Sequence, residues 1–180
     1  MTDTSVWLDK LLTQLGRCGS QGQAALQFLV ERKVKVMVHD QPTGARWTWN
    51  GGIQLHPRYL EIEPVDPYPM SLVVHEVRHL EQGFFKALSV YGELDAWQLQ
   101  FSFIKSLTGQ YHPNTRSDEI LCDLMSLDLD WDRGALARAR SLMQAYAGRT
   151  YRVDLLPLYP LPREILFFMT RQRPAYSGKL

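Results

Sequence analysis

Cysteine is scarce. Only Cys18 and Cys122 occur, 104 positions apart and in no CxxC pair. That argues against a disulfide scaffold or a thiolate zinc knuckle and leaves two buried thiols as the expectation. Long hydrophobic runs are missing too, since no stretch approaches the roughly 18 apolar residues a membrane span requires. The opening residues 1–7 have neither the basic start nor the apolar run of a secretory signal, so a soluble cytoplasmic protein is expected. Charge of one sign is also lacking: 20 Lys+Arg stand against 19 Asp+Glu. Duplex DNA and anionic lipid both demand clustered positive charge, so neither a nucleic acid nor a membrane is expected as partner.

What remains is ordinary globular material: 180 residues, 45% hydrophobic and 22% charged, enough for a core of its own. No repeat or linker divides the chain, so a single domain over 1–180 is expected. Residues 1–32 read as two helices, with Leu8, Leu11, Leu12 and Leu15 at helical spacing and Ser20 as a possible cap for the second. The period then drops to two. Residues 34–38 and 46–49 read as strands joined by a turn at Asp40–Gly44. Residues 53–56 and 59–62 read as two more, which together make a small antiparallel sheet. Beyond Pro64 the helical period returns over about 70–85, 92–107, 118–129 and 132–147. The last thirty residues, rich in proline and aromatics, read as an extended arm with one short helix near 163–170. The basic tail residues Arg163, Arg171, Arg173 and Lys179 read as a solvated edge. The class is α+β.

The chemistry is concentrated in His75-Glu76-Val77-Arg78-His79. Histidines at i and i+4 lie one turn apart on one helix face, where both rings can meet a single Zn²⁺ ion, and the intervening glutamate can reach an activated water as general base. With His75 at zero and about 100° per residue, His79 falls near 40° and Gln82 near −20°, while Val73, Val77, Leu80 and Phe84 occupy the opposite side. Such a helix suits the wall of a cleft. A hydrolytic zinc site takes three protein ligands, and the next helix offers Glu93 and Asp95. Glu93 shares a face with Ala96, Trp97, Gln100 and Ile104 and is favoured. Asp95 falls with Gln98 and Ser102 on the side expected to face solvent, from where it could instead orient a ligand histidine. Asp95, His112, Asp118 and Glu119 remain the alternatives for the third ligand. For stabilising developing negative charge, Tyr91, Tyr111, His112 and Arg78 are eligible by type. His39 and His56 read as exposed strand residues, and Trp47 with Trp49 as a sheet face packed on a helix.

This pattern, with Glu93 on the following helix, resembles the zincin metallopeptidases, in particular the glutamate-ligand branch called gluzincins. The resemblance covers about 34–107. It implies a zincin-like core with the sheet packed on the motif helix, one Zn²⁺ held by His75, His79 and Glu93, Glu76 as catalytic base, and a peptide or protein as substrate. A third histidine at metzincin spacing is absent, and so is the extended glutamate-helix motif of the thermolysin-like enzymes. The competing readings are an amidase acting on a non-protein substrate with the same residues, and a non-catalytic metal-binding or scaffold protein.

Overall fold

The computed structural model describes residues 3–148 and 151–170. Helices α1 (Thr4–Leu15) and α2 (Gly19–Glu31) are followed by strands β1 (Val36–Val38), β2 (Ala45–Trp47) and β3 (Ile53–Leu55), and by a 3₁₀ turn over Pro57–Glu61. Then come α3 (Pro67–Gln82), the short α4 (Phe84–Ala87), α5 (Val90–Thr108), α6 (Thr115–Met125), α7 (Arg133–Ala147), a 3₁₀ turn Val153–Leu155 and α8 (Leu161–Thr170). The class is α+β, mostly helical with one small sheet. No described helix is long and apolar enough to cross a membrane.

The sheet departs from expectation. It is mixed, in the order β1-β3-β2, with β1 parallel and β2 antiparallel to β3. Asp40–Gly44 is therefore no hairpin turn, because β3 lies between the strands it connects. The hairpin is β2–β3, closed by Thr48 N–H on the Gly52 carbonyl at 2.8 Å. The fourth strand is replaced by the 3₁₀ turn: Pro57 sits at its start, and His56 Nδ1 caps it by accepting from Arg58 N–H at 3.0 Å. Proline at N1 with a side-chain cap favours a helical turn over a strand. Ser20 is not a cap; it lies inside α2, whose cap position is Cys18. The two cysteines also part company, with Cys18 buried and Cys122 exposed. Of the expected extended arm, residues 161–170 are helical. Arg171, Arg173 and Lys179 lie outside the described residues.

Two apolar clusters flank the molecule's middle. One joins α1, α2, the sheet and the first half of α3 around Leu11, Leu15, Ile53 and Leu55. The other joins α5 to α8 around Leu94, Phe101, Leu121, Leu136 and Tyr159. Helix α3 runs between them and packs most extensively on α5. It begins at Asp66, whose carboxylate accepts from Tyr68 N–H at 2.7 Å, with Pro67 at N1. Because it is covered on both sides, Pro69 to Val77 is buried without interruption, rather than amphipathic as its period suggested. The return from α3 to α5 is tight. A Cβ at Gly92 would stand 2.0 Å from the Lys86 carbonyl, so only glycine lets α5 start there and place Glu93 against α3.

Candidate metal centre

His75 and His79 reach the α3–α5 seam from successive turns of α3, and Glu93 meets them from the first turn of α5. The two Nε2 atoms are 2.9 Å apart; Glu93 Oε1 is 3.4 Å from His79 Nε2, and Glu93 Oε2 is 3.8 Å from His75 Nε2. Ligands at zinc distances of about 2.0–2.1 Å in tetrahedral array stand about 3.3 Å apart, so these spacings fit one cation. His75, His79 and Glu93 thus form a group that can hold a metal ion.

The protonation of the cluster follows from its surroundings. Gln82 Nε2 donates to Asp95 Oδ2 at 3.0 Å and to the Gly92 carbonyl at 2.9 Å. Its Oε1, which can only accept, then lies 3.2 Å from His79 Nδ1. That places the His79 proton on Nδ1 and turns the Nε2 lone pair toward the cluster, the arrangement a ligand histidine needs. Burial, and the neighbouring His79, hold the His75 imidazole well below its ordinary pKa, which favours the neutral ring that a metal needs.

Glu76 lies beside the cluster, 5% exposed. Its Oε2 accepts from the backbone N–H of Trp47 at 2.8 Å, on the edge of β2 that carries no partner strand. Burial and the charge of Glu93 push its pKa up to about 8, against the pull of the Trp47 N–H.

Asp95 is not on a solvent face. It is 7% exposed and sits under α3, paired with Arg78 at 3.1 Å and Lys86 at 2.8 Å. Through Gln82 it orients His79 without approaching the cluster itself. The other third-ligand alternatives lie elsewhere. Asp118 accepts from Tyr111 and His112 N–H groups, His112 Nδ1 accepts from Asn114 N–H, and Glu119 is exposed. His39 is exposed and His56 is a cap, neither of them at the cluster. Trp47 of β2 meets Phe84 of helix α4 edge-on, and Trp49, 84% exposed, lies tilted against the same ring.

Neither a family model, a curated protein nor a solved structure matches the chain. Chemical geometry alone carries the reading. His75 of the cluster lines a cleft of about 420 Å³, together with Glu76, Trp97 and Tyr151. A larger hollow of about 800 Å³, between α2 and the sheet, holds none of these groups. Of the eligible charge-stabilising residues, Arg78 is held by Asp95 and Glu81, Tyr91 stacks on Trp131 and Tyr111 bonds Lys105; only His112 lines the cleft.

Tyr151 is the group that residue-by-residue reading missed. Its hydroxyl donates to Glu93 Oε2 and accepts from Trp97 Nε1–H at 2.9 Å. Burial, then the charge of Glu93, raise its pKa well above the ordinary phenol value, so it stays a donor. Nothing local marks it: it stands 58 residues beyond Glu93 in an irregular segment. That segment is nonetheless anchored at the site, since Val90 and Tyr91 N–H donate to the Pro157 and Leu158 carbonyls at 2.9 and 3.1 Å.

Proposed function

We propose that the chain is a zinc-dependent hydrolase that cleaves a peptide bond. The observation that carries this reading is the convergence of His75, His79 and Glu93 with a buried carboxylate, Glu76, at their side and a cleft in front. Two imidazoles and one carboxylate are a donor set found in hydrolytic zinc sites. Bound there, zinc would acidify a water molecule and polarise a substrate carbonyl. A divalent cation would also offset the charge of Glu93 and so draw Glu76 back toward ionisation near neutral pH.

Glu76 then takes the proton of the attacking water and returns it to the leaving amine. The Trp47 N–H fixes one of its oxygens, which leaves the other to work. The Tyr151 hydroxyl, which donates to Glu93 Oε2, holds that carboxylate in place beside the two histidines. Gln82 and Asp95 keep the His79 lone pair aimed inward.

Replacing Glu76 with Gln should leave one zinc per chain and lower hydrolysis of a quenched-fluorescence peptide library by roughly 10²–10⁴-fold. Zinc content by elemental analysis and turnover are read on the same sample. Unchanged turnover in Glu76→Gln, or a wild-type chain that holds no zinc, overturns the reading.

A further inference from the structure

The cleft beside Glu76 is chemically lopsided. One end holds the buried His75 and Glu76 and the half-buried Tyr151; the other carries the exposed Arg58, the buried Tyr59 and the half-buried Tyr68 and Tyr146. Among the described residues that line it, Glu76 is the only carboxylate. Arg58 Nη2 donates to the Tyr59 hydroxyl at 2.8 Å, and the guanidinium lies 5.0 Å over the Tyr59 ring. No carboxylate of the described residues pairs with it. A guanidinium offers five N–H donors and no acceptor, so most of its hydrogen-bonding capacity is left for a ligand.

The surroundings keep that end rigid and donor-rich. A Cβ at Gly44 would stand 2.5 Å from the Tyr59 hydroxyl and 3.2 Å from Arg58 Nη2, so the close fit of β2's entry against this pair depends on glycine. The Tyr59 and Tyr68 rings lie 6.0 Å apart. Burial pushes the Tyr68 phenol up to about 12, with neighbouring Tyr59 adding to it, and burial raises Tyr146 as well. These hydroxyls therefore remain protonated donors at neutral pH.

We infer that the Arg58 end of the cleft binds a carboxylate, anchored by Arg58, and that the substrate is a short peptide with a free carboxylate close to the scissile bond. This rests on the hydrolase reading for its cleavage step but not for its binding step. A volume of about 420 Å³ lies near the lower end of the roughly 300–1,000 Å³ of small-molecule sites. It has room for a di- or tripeptide end and not for a folded chain. Arginine favours carboxylate here because its planar fork can present two parallel N–H groups.

The test is calorimetric titration of chelator-treated protein, so that no metal competes for the anion, with N-acetyl-Ala-Phe and with its carboxamide. The acid should bind at least about tenfold more tightly than the amide, a difference of about 1.4 kcal/mol. Arg58→Gln, an exposed position whose variant is checked by its unfolding curve, should bring the two ligands to equal affinity; Arg58→Lys should keep part of the preference. Equal binding by wild type, an acid preference that survives Arg58→Gln, or no binding of the acid at millimolar concentration overturns the inference. A carboxylate preference in a chain that holds no zinc would sink the hydrolase reading alone. Zinc-dependent hydrolysis without the preference would sink this inference alone.

Discussion

Glu93 and Asp95 stand two residues apart on α5, and the molecule treats them in opposite ways. Asp95 is fully compensated: Arg78 contacts both its oxygens, Lys86 stands at 2.8 Å and Gln82 donates at 3.0 Å. Burial alone would raise its pKa, but the hydrogen bonds from Lys86, Arg78 and Gln82 bring it below the ordinary carboxylate range. Glu93 receives no lysine or arginine among the described residues; its partners are two histidines and a phenol. Burying a carboxylate without a cation is expensive, so the uncompensated one is the one built to receive a metal. Exposure alone does not separate the pair, since both are largely withdrawn from solvent. Charge compensation does.

The comparison breaks first, and most visibly, on metal affinity. Glu93→Gln should weaken zinc binding by more than the roughly 10–100-fold that loss of a supporting partner costs, whereas Asp95→Asn, acting through Gln82 on His79, should stay within that range. Competitive zinc titration against a chromophoric chelator reads both. A larger loss in Asp95→Asn than in Glu93→Gln would exchange their roles. On stability without metal the order reverses. Asp95→Asn strands Arg78 and Lys86 and should cost about 2–3 kcal/mol in denaturant unfolding, less than a fully buried pair because both cations are one-third exposed. Glu93→Gln removes a charge that repels Glu76 and should be neutral or mildly stabilising.

Much of this site was legible because its signal is local. His75, Glu76 and His79 are fixed by one helical turn, and Glu93 by its place among Ala96, Trp97 and Gln100 on the face that meets α3. Asp95 was misplaced on a solvent face because one helix's period says nothing of a second cover. Here Arg78, Lys86 and Gln82 close over the polar side of α5. The sheet was half legible: its strands are three residues each, and period two marks a strand without saying which neighbour it takes or in which direction. Tyr59 to Ile62 alternates like a strand, but Pro57 and the His56 cap wind it into a 3₁₀ turn. Tyr151 was illegible in principle, since its role exists only once residues 58 apart are brought together.

The smallest expected effect is a pH dependence of the metal-free protein that sharpens the same contrast. Burial, with the charge of Glu93 second, raises Glu76 from 4.5 to about 8. Between those values the folded state holds a proton that the unfolded state has lost, so stability falls as pH rises. His75 acts in the other direction: burial, then His79, lower it well below 6.5, so below 6.5 the unfolded state holds the extra proton and stability rises with pH. Below pH 6.5 the two contributions oppose each other; between 6.5 and about 8 only the loss from Glu76 remains, up to about 2 kcal/mol. Denaturant midpoints of chelated protein across that window should therefore decline. Glu93→Gln removes the repulsion and should shift the decline to lower pH, while Asp95→Asn, its charge already absorbed by Arg78 and Lys86, should leave the decline in place. A decline that moves with Asp95 and not with Glu93 would mean that Asp95, despite its two cations, sets the field at Glu76.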